Sequence, residues 1–145
     1  MQTFYSQDIV TGTYVRARIV VQEVSQSVVG NQTVADIFVQ MWRTNTGYTT
    51  EGAGTLHIGV NGDDVSSSIT HSQKITYNSY TTIGDKRRVT LTHDANGDWS
   101  GSISARADTS NSNMSFGEAS FKVDLTHIDR TAPRVSLSVF DITDI

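Results

Sequence analysis

In the stretch His93 to Ser110, HDANGDWSGSISARADTS, the oxygen-bearing side chains Asp94, Asn96 and Asp98 stand at alternate positions with Gly97 among them. Alternating Asp and Asn oxygens open a calcium-binding loop, but such a loop also needs glycine at its sixth position and a bidentate glutamate at its twelfth. Counted from Asp94, those positions hold Trp99 and Ala105. Glycine comes fourth instead, between VTLTH and WSGSISARA, where its tolerance of positive φ suits a tight turn. The spacing predicts a hairpin turn over Asp94-Ala95-Asn96-Gly97 and no metal site.

Other reactive residues are scattered. His57, His71, His93 and His127 lie far apart without the paired spacing of a zinc site, and read as strand-surface or internally satisfied histidines. Asp63-Asp64 follows a turn glycine and reads as solvated, and Lys86-Arg87-Arg88 reads as the solvated entry to a strand. The chain has no G-x-S-x-G, no phosphate-binding glycine loop and no S-x-x-K. Its lack of cysteine excludes disulfides, thiolate metal sites and thiol catalysis. We therefore expect no enzymatic activity, no cofactor and no metal. A net charge of −4 over 145 residues argues against a nucleic-acid binder, and no apolar run approaches a membrane span.

The aromatics remain. Phe38 and Trp42 fall on the side of their strand opposite the aliphatic stripe, and Tyr48 follows in the next loop. Exposed, such rings could stack on a sugar or anchor a protein partner. The structural alternative turns Trp42 inward through a bulge or covers it with a neighbouring loop. Trp99, in phase with Ile103, reads as core.

The elements that must hold these residues are strands. Thr, Val, Ile and Tyr recur in short runs separated by Gly, Asn, Asp and Ser, and no apolar stripe persists at helical spacing. Val15, Ala17, Ile19 and Val21 alternate with Arg16, Arg18 and Gln22. Ala35, Ile37, Val39 and Met41 alternate with Asp36, Phe38, Gln40 and Trp42. Similar alternation marks Leu56–Val60, Val89–Leu91, Trp99–Ala107 and Ala119–Leu125, with a weaker run at Ile75 and Tyr77. Asn61-Gly62 signals a hairpin, and Gly84-Asp85 reads as a break before Arg87. One apolar face per strand implies two antiparallel sheets packed face to face. The expectation is an all-β antiparallel sandwich, Ig-like or jelly-roll-like, of seven to eight strands over residues 1–130. Residues 131–145, with the sole proline Pro133 and the alternation Val135, Leu137, Val139, read as a linker and the first strand of a following Ig- or fibronectin-like module.

Two stretches carry a family resemblance. RRVTLTHDANGDWSGSISARADTS, Arg87 to Ser110, resembles a recurring hairpin of tail proteins in siphophages that infect Gram-positive bacteria. FGEASFKVDLTHIDR, Phe116 to Arg130, is similar to the closing segment of the same proteins, usually L-T-x-I-P-R; Leu125, Thr126, Ile128 and Arg130 match, and Asp129 replaces the proline. The likeness extends over about Gly12 to Arg130. It implies a non-enzymatic structural module of a tail tip, baseplate or fibre, made in the host cytoplasm without a signal peptide and incorporated into the virion. Its implied partners are other tail proteins and host cell-wall polysaccharide, with neither nucleic acid nor membrane, and homo-oligomer formation stays open. The competing reading is a dedicated carbohydrate-binding module centred on Trp42 and Tyr48.

Overall fold

The computed structural model describes residues 1–130, so the expected linker and strand at 131–145 lie outside the described residues. Alternation translates directly into strands: β3 (Val15–Ser27), β4 (Gln32–Arg43), β5 (Gly54–Val60), β6 (Asp63–Ile69), β7 (Thr81–Thr92), β8 (Ser100–Thr109) and β9 (Phe116–Asp124). Two short strands precede them, β1 (Thr3–Tyr5) and β2 (Ile9–Val10), making nine among the described residues instead of seven to eight. Both pair with β3, too briefly for any period to show in the sequence.

Five strands form one antiparallel sheet, ordered β1-β3-β4-β7 with β2 also on β3, and four form the other, β6-β5-β8-β9. Their facing stripes make one core. Ala17, Ile19, Ala35, Ile37, Val39 and Met41 from the first sheet meet Leu56, Ile103 and Ala107 from the second, all sealed from solvent. Trp99 packs partly buried against this core. Asn61-Gly62 closes the β5–β6 hairpin in the register Val60↔Asp63.

Two local expectations are corrected. Ile75 and Tyr77 form isolated bridges to Thr50 and Arg43 rather than a strand. Gly84-Asp85 does not break the chain; it forms a bulge within β7, opposite the register shift between Ile37 and Val39. Gly84 has φ +63°, and an added Cβ would sit 2.7 Å from Leu56 across the core, so glycine is needed there twice over. The Gln73 amide completes the bulge, accepting from Gly84 N at 3.0 Å and donating to Gly84 O at 3.2 Å.

The closing segment after β9 is tied across the sandwich. Glu23, buried in a β3 bulge, accepts from Gln2 N at 2.7 Å, Thr126 N at 2.9 Å and the Thr126 hydroxyl at 2.6 Å. With Leu125 and Ile128 also buried, Leu125–Ile128 is part of the fold.

Candidate functional site

The Asp94 loop is a turn. The Asp94 carboxylate accepts from Asn96 N and Asp98 N, both at 2.9 Å, which directs its oxygen into the chain's own backbone, and Gly97 takes φ +86°. His93 is buried beside it. Its Nδ1 donates to Gly97 O at 2.8 Å, because a carbonyl only accepts, and its Nε2 lies 2.7 Å from the Thr33 hydroxyl. The other histidines stand apart, His57 on Asp64 and His127 on Asp98.

Lys86, Arg87 and Arg88 are not a uniform solvated end. Arg87 reaches to the other sheet, donating to Ile58 O, Asp63 O and the Asp63 carboxylate at 2.6–2.8 Å. Asp63 and Asp64 are solvent-exposed, as expected, but they open β6 instead of lying in the turn, and each is paired, Asp63 with Arg87 and Asp64 with His57. Arg88 grips Asp36 with two bonds of 2.9 and 3.0 Å. These hydrogen bonds hold the Asp36 carboxyl below its ordinary value, against the opposing effect of burial, and raise Arg88. The Lys86 ammonium lies 4.5 Å from the Phe38 ring centre.

Antiparallel register puts directly opposed residues on one face. The outer face of the five-stranded sheet therefore carries Tyr5, Val20 and Phe38 in one row, Arg18, Gln40 and Thr82 in the next, and Arg16 with Trp42 beyond. Phe38 faces outward as its phase required, but Lys86 and its neighbours leave it only 6% exposed, closed to a ligand. Trp42 also faces outward, half-buried, and Tyr80 meets it edge-on at 4.9 Å. Arg18 stands in the middle. Its guanidinium carbon lies 3.9 Å from the Tyr80 ring centre, 4.3 Å from Tyr5 and 5.8 Å from Trp42, while Nε donates to Gln40 at 2.9 Å.

This arrangement is a cation held among three rings, each contact within cation–π range. Tyr5 and Tyr80 remain about half exposed, so flat aromatic surface faces solvent beside fixed hydrogen-bonding groups. The side chains brought to this face include four cations, Arg16, Arg18, Lys86 and Arg88, against the Asp36 carboxylate, in a chain whose net charge is −4. It can stack on planar or sugar-like surfaces and attract negative charge.

Tyr48 does not join Trp42. Successive strand residues point to opposite faces, and Tyr48 stands by the inward-pointing Arg43, with its ring centre 5.9 Å from that guanidinium. Sequence reading left Tyr5 and Tyr80 out of the site and took Arg18 only as outward-facing. Arg18's phase opposite the apolar stripe was the available signal; the tyrosines became neighbours through cross-strand register and a loop. No protein-family model matches the chain, nor does any curated protein or solved structure.

Proposed function

We propose that the chain is a non-enzymatic structural module of a phage tail, serving tail assembly and attachment to the host surface through the outer face of its five-stranded sheet. The observation that carries the docking surface is Arg18 among Tyr5, Trp42 and Tyr80, a rigid, cationic, aromatic patch on an otherwise acidic chain. Such a patch suits a partner presenting flat or ring-shaped groups together with negative charge. The assignment to a tail rests on the resemblance of Arg87–Ser110 and Phe116–Arg130 to siphophage tail hairpins. Mass spectrometry of purified particles made from the encoding genome tests it: the chain is expected among the virion proteins, and its absence from intact particles refutes the assignment. Arg18→Ala, with folding checked by circular dichroism, is expected to weaken attachment of the full chain to Gram-positive cell walls.

One observation favours a second reading, the dedicated carbohydrate-binding module. Trp42 and Tyr80 pack as a T-shaped pair on the outer face, aromatic surface of the kind on which a neutral sugar stacks. Under that reading Trp42→Ala abolishes binding to cell-wall polysaccharide while association with tail proteins persists. Tyr48→Ala leaves that binding unchanged.

A further inference from the structure

At one end of the sandwich, away from the outer face, Arg43 is buried to 8% exposure. Two of its five N–H donors are engaged, one by the Thr50 hydroxyl and one by Asn45 Oδ1 at 2.7 Å, both neutral acceptors. Its Nε–H is buried with no partner. No carboxylate among the described residues forms an ion pair with it; Glu51, in the same β4–β5 loop, is drawn to His71 and Lys74 at 3.9 Å each. Burying a guanidinium is costly unless an opposing charge compensates it.

Arg43 lines a cavity of about 230 Å³ with Thr13, Tyr14, Val15 and Asn113. The Tyr14 and Tyr48 ring centres lie 6.0 and 5.9 Å from the guanidinium, and the rings are 50% and 74% exposed; Tyr14 lines the cavity, and Tyr48 approaches the same guanidinium from the β4–β5 loop. The walls are fastened to one another. Thr44 N donates to Tyr14 O at 2.8 Å, the Thr11 hydroxyl to Asn113 O at 2.6 Å, and the Asn111 amide to Glu51 O at 3.1 Å. Loops from both sheets thus converge on a preformed hollow whose only charged lining group among the described residues is cationic.

We infer that this hollow is a binding site for an acidic sugar residue, a uronate whose carboxylate answers Arg43. A carboxylate matches the planar fork of a guanidinium, exposed aromatic rings beside that guanidinium suit the apolar face of a pyranose, and Thr13 and Asn113 offer partners for its hydroxyls. The volume admits one sugar residue, so a chain end or side branch enters. This site shares no residue with the Arg18 patch, and the inference does not rest on the outer-face reading.

The test follows the Arg43 Nε–H resonance of the ¹⁵N-labelled full chain, assigned by its loss in Arg43→Lys. Titration with D-glucuronate is expected to move it saturably at concentrations up to about 10 mM, while D-glucose leaves it in place. Tyr48→Ala, a change at an exposed side chain, weakens glucuronate binding about fivefold, and Trp42→Ala leaves it unaltered, which separates this site from the outer face. An unmoved resonance overturns the inference. So does an equal response to glucose, unchanged affinity in both Tyr14→Ala and Tyr48→Ala, or a response to inorganic phosphate but not to glucuronate.

Discussion

The two sheets share one core and differ in what they show to solvent. Outside the five-stranded sheet stand Tyr5, Arg18, Gln40 and Trp42, long or aromatic side chains locked against one another. Outside the four-stranded sheet, the same register logic brings out His57 beside Ser66, Gly59 beside Ser104, and Ser104 beside Ser120. That face mixes small hydroxyls with charged side chains, Asp64, Arg106 and Lys122 among them. Inward alternation serves folding on both sheets, whereas the outward set is free of core packing and varies with what each face does. A surface of short hydroxyls and scattered charges suits hydration; a surface of caged arginine and rings suits contact.

The largest change expected is one that removes the scaffold both faces depend on. Ile37 is sealed in the centre of β4, so Ile37→Ala leaves a cavity and is expected to cost about 3 kcal/mol in urea unfolding. Both sheets should then unfold in one transition at lower urea. Next in size is Glu23→Ala, which strands two backbone donors and one hydroxyl at the seam where Thr126 crosses to β3. Loss of about 2 kcal/mol is expected, with faster hydrogen exchange at Thr126 N before the rest of β9. Equal exchange across β9 would deny Glu23 its role as a local clamp.

These two residues also mark what the sequence makes legible. Ile37 was placed correctly by period two alone, as were Ala17, Ile19, Val39 and Met41, because burial on one face imposes that period and no other force competes with it. Glu23 was invisible, since a buried carboxylate is recognised only by its donors, and those come from residues 2 and 126. Gly84 misled for a related reason. A glycine-aspartate pair marks a chain break locally, yet here the bulge is held by Gln73 and by contact with Leu56 across the core. The outer aromatic face was half legible. Phase gave the outward direction of Phe38, Trp42 and Arg18, but not the burial of Phe38, the arrival of Tyr80 or the departure of Tyr48 toward Arg43.

A sharper form of the comparison exchanges side chains on the two outer faces. Arg18→Ala removes cation–π contacts to Tyr5 and Tyr80 and the bond to Gln40, and is expected to lower stability by about 1 kcal/mol. Ser66→Ala and Ser104→Ala on the opposite sheet should each change it by less than about 0.5 kcal/mol. Paired thermal and urea melts check this directly. A serine substitution costing as much as Arg18→Ala would mean that the hydroxyl surface is itself a cooperative structure, and the contrast between faces would fail.

The smallest expected effect lies at the rim of the same outer face, where Arg88 holds Asp36. Because Arg88 is 62% exposed, solvent screens the pair and its contribution to stability is small. Its pH dependence nevertheless has a definite sign. The hydrogen bonds from Arg88 depress the Asp36 value in the folded chain, so in the acid range the unfolded state binds the proton more readily. The stabilisation is complete above the unfolded value, near pH 4, and disappears as the pH falls through the lower folded value. Asp36→Asn should therefore be less stable than the parent at pH 7, with the gap closing in urea melts as the pH falls below about 4 and narrowing at high salt. A gap that widened toward acid would reverse the sign of the coupling and place the Arg88 contact in the unfolded chain.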